Sequence, residues 1–253
     1  MMAFFIILFG LATGSFLNVC IHRLPRDESL GHPGSSCPAC GARIGWQDNI
    51  PVISYLCLRG QCRHCRAKIS PRYVLVEILN AFCWYLLWKH SGWGLTFVFS
   101  ALLFSILLTV VLIDFETGLI PDELTLTGLA AGLVWSGLAP GRFDAASWHA
   151  GLLMAFLGGL LGGGLLFLTG YLGRLLFRKD SMGGGDVKLL AMLGTFLGMQ
   201  KVVWIFLLAP VLALPAALIA KLVFKEETIP FGPYLAAAGA ILFLWGDWLI
   251  RVF

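Results

Sequence analysis

The chain has 253 residues, of which 58% are hydrophobic and only 13% charged, about half the roughly 25% charged share of soluble domains. With a mean hydropathy of +0.85, this composition excludes a compact soluble core and points to an all-α polytopic membrane protein. The net charge of +4 implies no nucleic acid partner, because in such a chain the distribution of the charges matters more than their sum.

The first apolar run, Met1 to Cys20, has no basic residue before it and no small-residue cleavage site after it, while His22, Arg23 and Arg26 follow directly. That is the pattern of a retained helix rather than a secretory signal. A hydrophilic loop occupies about 22–72. Judged against a span of about 20 residues, further apolar runs near 73–89, 94–113, 123–139, 149–173, 187–200, 202–221 and 232–250 bring the total to about eight transmembrane helices. Only Gly198, Met199, Gln200 and Lys201 break the pair 187–200 and 202–221. The expected organisation is a first transmembrane helix at 1–21, a cytoplasmic loop domain at 22–72 and a membrane domain at 73–253. No internal repeat, low-complexity tract or long charged tail is evident, and the polar stretch between Pro140 and Ala150 reads as tolerated loop variation.

Placing the hydrophilic loop in the cytoplasm puts fourteen of the 18 Lys and Arg residues on that side, Arg178 and Lys179 among them. Only Lys89, Arg142, Lys201 and Arg251 remain on the other, as the positive-inside rule requires. Both termini then lie outside.

The loop carries Cys37-Pro-Ala-Cys40 and Cys62-Arg-His-Cys65. Two such knuckles bring four thiolates to one ion, the arrangement of a zinc ribbon. Four sulfurs leave no open coordination position, so a zinc held by Cys37, Cys40, Cys62 and Cys65 is structural in a zinc-ribbon-like loop domain. A loop this short of large apolar side chains needs such a staple to fold. Cys20, Cys57 and Cys83 are left for packing, and His64 is expected to be exposed.

Asp186 follows Gly183, Gly184 and Gly185, residues that let backbone approach closely or take positive φ. It could cap a helix starting at Val187. A carboxylate near membrane depth is costly, however, and is a functional candidate in need of a partner or a proton. Asp114 is that partner, because it ends an apolar run at a helix C-terminus, where the macrodipole disfavours negative charge. Asp122, after Pro121, reads as an N-cap and is the main competitor. Glu77 lies in the first turns of its helix with a polar role left open, while Glu116, Glu123 and Asp247 read as interfacial. Two facing carboxylates share a single proton, so that one can take a proton from water while the other polarises a carbonyl. No nucleophile motif lies near His22, His32, His64, His90 or His149, and no H-E-x-x-H signature is present.

These residues resemble the type IV prepilin peptidases, aspartyl proteases of the inner membrane with a Gly-x-Gly-Asp motif. Gly183 to Lys188 matches that motif, and Leu112 to Glu116 with Leu119 to Thr125 resembles the stretch around the family's first aspartate. The likeness extends to Gly14 to Val19 with Arg23 to Pro25, to Asn49 to Tyr55, to the four cysteines and to Ile229 to Tyr234. It implies cleavage of prepilin and pseudopilin leaders after a glycine at the cytoplasmic membrane edge, with Asp114 and Asp186 catalytic. It also implies methylation of the new N-terminus by S-adenosylmethionine, at a site no motif identifies. The residues alone leave two other readings open: a proton-coupled transporter using the pair as a relay, or a zinc-module scaffold of a secretion machine.

Overall fold

The computed structural model describes residues 1–177, 182–225 and 229–252; Arg178, Lys179 and Phe253 lie outside the described residues. Among these, the structure is helical, with two isolated β-bridges and no strand. The helices are α1 Met2–Arg23, α2 Ile53–Cys57, α3 Arg72–Ser91, α4 Leu95–Thr117, α5 Asp122–Leu138, α6 Trp148–Phe177, α7 Gly184–Ile219 and α8 Gly232–Val252. Among the described residues, five helical stretches are long and apolar enough to cross a membrane, which makes this a multi-pass membrane protein. One of the five, Gly184–Phe224, runs for 41 residues. At about 1.5 Å per residue it is twice the length of a single span. Gly198 breaks it with φ 78° and ψ 176°, at the interruption the sequence places between 187–200 and 202–221.

The chain forms two compact units, Met1–Thr109 and Val110–Phe253, divided inside α4. In the first, α1 packs on α3 through two glycines. A Cβ at Gly10 would lie 2.7 Å from the Ala81 Cα, and one at Gly14 would lie 2.6 Å from the Glu77 Cα. Asn80 of α3 donates to the Gly10 carbonyl at 2.8 Å and accepts from the Ser105 hydroxyl of α4 at 2.8 Å. Two spans therefore join to α3 through a buried amide.

In the second unit α7 is the central helix, packed by α5, α6 and α8, with Leu189, Leu190, Met192 and Leu193 fully buried. A seam of small residues sets its approach to α6. A Cβ at Gly194 would stand 2.1 Å from the Gly158 carbonyl oxygen, and one at Gly162 would stand 2.5 Å from that of Leu190. Helices in lipid associate by such close packing, because apolar burial between them gains little over lipid contact.

The Pro140–Phe143 turn is more than loop variation. The Arg142 guanidinium stacks 3.6 Å above the ring of Trp135, and the Phe143 ring fills the space beside Gly198. It closes one end of the bundle against the kink of α7.

Substituting Gly194→Ala should cost about 1–3 kcal/mol by overpacking the seam. Gly164→Ala, where no atom lies within 4 Å of the added Cβ, should leave stability within about 0.5 kcal/mol. Loss of helical signal on heating in detergent, read for both variants and the parent, checks the contrast.

Candidate active site

Asp114 occupies the last turn of α4 and is only 5% exposed. Gly118, with φ 65°, ends the helix by donating its N–H to the Asp114 carbonyl at 2.9 Å. The α4 dipole opposes a charge here, but the Asp114 Oδ2 accepts the Gly232 N–H at 2.9 Å. Gly232 is the first residue of α8, so the positive end of a second helix offsets the first. A Cβ at Gly232 would stand 2.7 Å from that same oxygen, so only glycine gives the carboxylate room.

Asp186 does not cap a helix starting at Val187. The helix begins at Gly184 with Gly183 as N-cap, which makes Asp186 its third residue, and the Gly183 N–H donates back to its carboxylate. This is the acidic half of a capping box, where charge is favoured. None of the three glycines takes positive φ. Close approach explains two of them: a Cβ at Gly185 would stand 2.7 Å from the Ile120 Cβ, and one at Gly183 would stand 3.1 Å from the Asp186 Oδ2.

The structure brings the two aspartates together. Asp186 is 9% exposed, and its carboxylate lies within Coulombic reach of Asp114. Its Oδ1 is buried and, among the described residues, takes no hydrogen bond from the protein. Ile120 wedges between the starts of α7 and α8, touching the space above both Gly185 and Gly232. Neither Ile120 nor Gly232 is identifiable as a site residue from its own chemistry. The sequence signal for each is that it sits in a stretch of the family resemblance, Leu119 to Thr125 or Ile229 to Tyr234, that holds neither Asp114 nor Asp186.

Asp122 is not an N-cap either. Pro121 holds that position and Asp122 makes no capping hydrogen bond. Both its oxygens lie 2.6 Å from the Lys188 Nζ in an exposed ion pair. Glu77 belongs to the other unit.

The four knuckle cysteines converge as well, with all four sulfurs within 4.8 Å of one another. The Cys37 and Cys65 sulfurs stand 3.8 Å apart, the edge expected of a tetrahedron with metal–sulfur bonds of about 2.3 Å. The N–H groups of Cys65 and His64 pull the Cys62 thiol down to about 6. Cys40, although the Ala42 N–H favours its thiolate, is pushed up to about 11 by its crowded neighbours, Cys65 first. A metal would relieve that crowding by replacing the protons.

The knuckles also form an internal repeat that the sequence reading misses. Cys37-Pro-Ala-Cys-Gly-Ala-Arg-Ile44 and Cys62-Arg-His-Cys-Arg-Ala-Lys-Ile69 share each backbone contact. Cys37 and Cys62 donate to Ala42 and Ala67 at 2.9 Å, and each knuckle has one bridge, Ser36 to Arg43 or Gln61 to Lys68. Eight residues are too few to stand out in a scan for repeated elements. His64 is exposed as expected. Cys57 is exposed rather than packed, beside the outward-facing Ile53 and Leu56 of α2.

Comparison with known proteins follows this division of labour. The bacterial peptidase A24 N-terminal domain matches residues 8–91, and the type IV leader peptidase family matches residues 101–218, which include both aspartates. A prepilin leader peptidase/N-methyltransferase of Pseudomonas aeruginosa is 38% identical to this chain, over 98% of it and 91% of the relative. The chain belongs to the type IV leader peptidase family. Proteins of the same name from Aeromonas hydrophila and Myxococcus xanthus are 37% and 30% identical, over 97% and 99% of this chain. No solved structure matches it.

Cobalt(II) titrated into the purified protein should give the absorption of one tetrahedral four-thiolate centre per chain. Cys62→Ser should remove most of that signal, and an unchanged spectrum would rule out the four-sulfur site.

Proposed function

We propose that this membrane enzyme is an aspartic endopeptidase that cleaves the leader of type IV prepilins and pseudopilins after glycine and then N-methylates the new N-terminus. Asp114 and Asp186 are the catalytic pair. The observation that carries this reading is their convergence: two buried carboxylates from separate helices, each stabilised by one N–H, with the Asp186 Oδ1 left as an acceptor.

Two carboxylates this close hold one proton between them. The ionised member removes a proton from water as its oxygen attacks the scissile carbonyl carbon. The protonated member hydrogen-bonds the carbonyl oxygen, and a proton then passes to the departing amine. Burial of the pair, at 5% and 9% exposed, keeps the charges from being screened by water.

Zinc is the ion that suits four clustered thiolates, with Cys37, Cys40, Cys62 and Cys65 as its ligands and a structural role for 22–72. The methyl donor is S-adenosylmethionine. In the membrane, the loop module and both aspartates face the cytoplasm of the inner membrane with the termini outside, and the charge asymmetry of the connecting segments supports that orientation. A transporter or scaffold leaves either the cysteine cluster or the paired aspartates without a use.

The test is cleavage of a membrane-embedded prepilin by the purified protein in detergent. Asp114→Asn and Asp186→Asn, each folded as judged by thermal melting, should lose roughly 10²–10⁴-fold in rate. Asp122→Asn breaks only an exposed ion pair and should stay within about fivefold. If Asp122→Asn abolishes cleavage while Asp114→Asn retains it, the partner of Asp186 is misassigned.

A further inference from the structure

Two stretches singled out in the sequence, Gly14 to Val19 and Asn49 to Tyr55, hold neither aspartate of the proposed proteolysis, yet the first unit brings both onto one buried carboxylate. Glu77 of α3 is 6% exposed. Its Oε2 accepts the Val52 N–H at 2.8 Å, its carboxylate accepts a hydrogen bond from the Ser15 side chain, and the Gly14 backbone of α1 lies flat against its Cα. Val52 sits at φ 61°, ψ −50° in a three-residue turn closed by the Ile53 N–H on the Pro51 carbonyl at 2.6 Å. That conformation is strained for a β-branched residue, and strain of this kind collects at functional sites.

A neighbouring acceptor is left over. Asn18, one turn beyond Gly14, donates its amide to the carbonyls of Gly14 at 3.3 Å and of Tyr73, one turn before Glu77, at 2.9 Å. Its Oδ1 is buried and, among the described residues, takes no hydrogen bond. The Glu77 carboxylate has about four acceptor positions, of which Val52 and Ser15 fill two. Asn18 lies about one helical turn, roughly 6 Å along α1, from the Gly14 that packs on Glu77, so two buried acceptors with unused capacity share the seam between α1 and α3.

We propose that Glu77 and Asn18 bind the free α-amino group of a peptide substrate, and that this is the amine site of the methyl transfer. The proposal rests on the double-activity reading given above. A primary ammonium brings three N–H donors and one positive charge, which suits one carboxylate and one amide oxygen. The sulfonium centre of the methyl donor would bring charge but no donor for the Asn18 Oδ1, whereas the donor's own ammonium would compete for the same acceptors, which the peptide-binding comparison below separates; a hard metal ion would need several more oxygens. The amine exists only after the leader has been cut, so cleavage must come first. Glu77 accepts the proton that frees the nitrogen lone pair. The lone pair forms the new N–C bond as the C–S bond of the sulfonium donor breaks, its electron pair leaving on a neutral thioether. The proton then returns from Glu77 to water.

The experiment compares the full-length parent with Glu77→Gln in detergent, using a short pilin-like peptide with a free N-terminus and its N-acetylated twin as fluorescent probes. Cleavage, methyl incorporation and cobalt(II) occupancy are read on the same preparations. The parent should bind the free-amine peptide about 10–100-fold more tightly than the acetylated one. Glu77→Gln should lose that preference and at least about 100-fold in methyl incorporation, with cleavage and cobalt(II) occupancy at the parent's level. Retained preference in the variant overturns the assignment. So does loss of cleavage or of metal together with methylation, which would make Glu77 only a clamp for the Val52 turn. A parent that methylates without preferring the free amine sinks the Glu77 site and leaves the double activity standing. A parent that cleaves but never methylates sinks both.

Discussion

Two carboxylates stand together inside an apolar bundle because each is met by a backbone N–H at the start of a helix. Asp114 leans on the first residue of α8, and Asp186 on the residue just before α7. Without those donors an ionised carboxylate at this depth would be a desolvated charge facing a like charge, which proteins avoid by neutralising the group. With them, the pair can keep one charge and one proton, the state that acid/base hydrolysis needs. The positions of α7 and α8, and therefore everything that packs them, serve this arrangement.

Glycine is the means of packing. Gly185 and Gly232 sit against Ile120 and the Asp114 carboxylate at distances no Cβ tolerates, and Gly158, Gly162 and Gly194 bring α6 onto α7. Since apolar burial between helices gains little in lipid, van der Waals contact at short range is what fixes α7 in register. A helix held this closely presents Asp186 from a rigid element, which the proposed catalysis requires. The Arg142 stack on Trp135 and the Phe143 contact at Gly198 brace the same helix at its kink.

The first unit solves a different problem, folding a short polar segment that has little core of its own. Two knuckles of the same backbone design gather four thiols. The segment between them reaches α3 through the Val52 N–H on Glu77. The module is thus tied to its helices by a buried carboxylate as well as by chain connectivity, and that carboxylate retains acceptor capacity beyond what the tie uses.

The sequence by itself determined the class of protein, the two knuckles and the choice of Asp114 and Asp186 as candidates. These follow from apolar runs, from the spacing of cysteines and from the rarity of carboxylates at membrane depth, all of which are local properties of the chain. It also located the break at Gly198. It did not reveal why three glycines precede Asp186, since close approach and positive φ look alike in one dimension. Nor could it show that Asp122 pairs with Lys188 across 66 residues, that Gly232 holds Asp114 across 118, or that Glu77 gathers two distant motifs. Those facts depend on which helix starts meet which side chains. Only the tertiary structure decides that, because a backbone N–H is the same at every position until packing aims it.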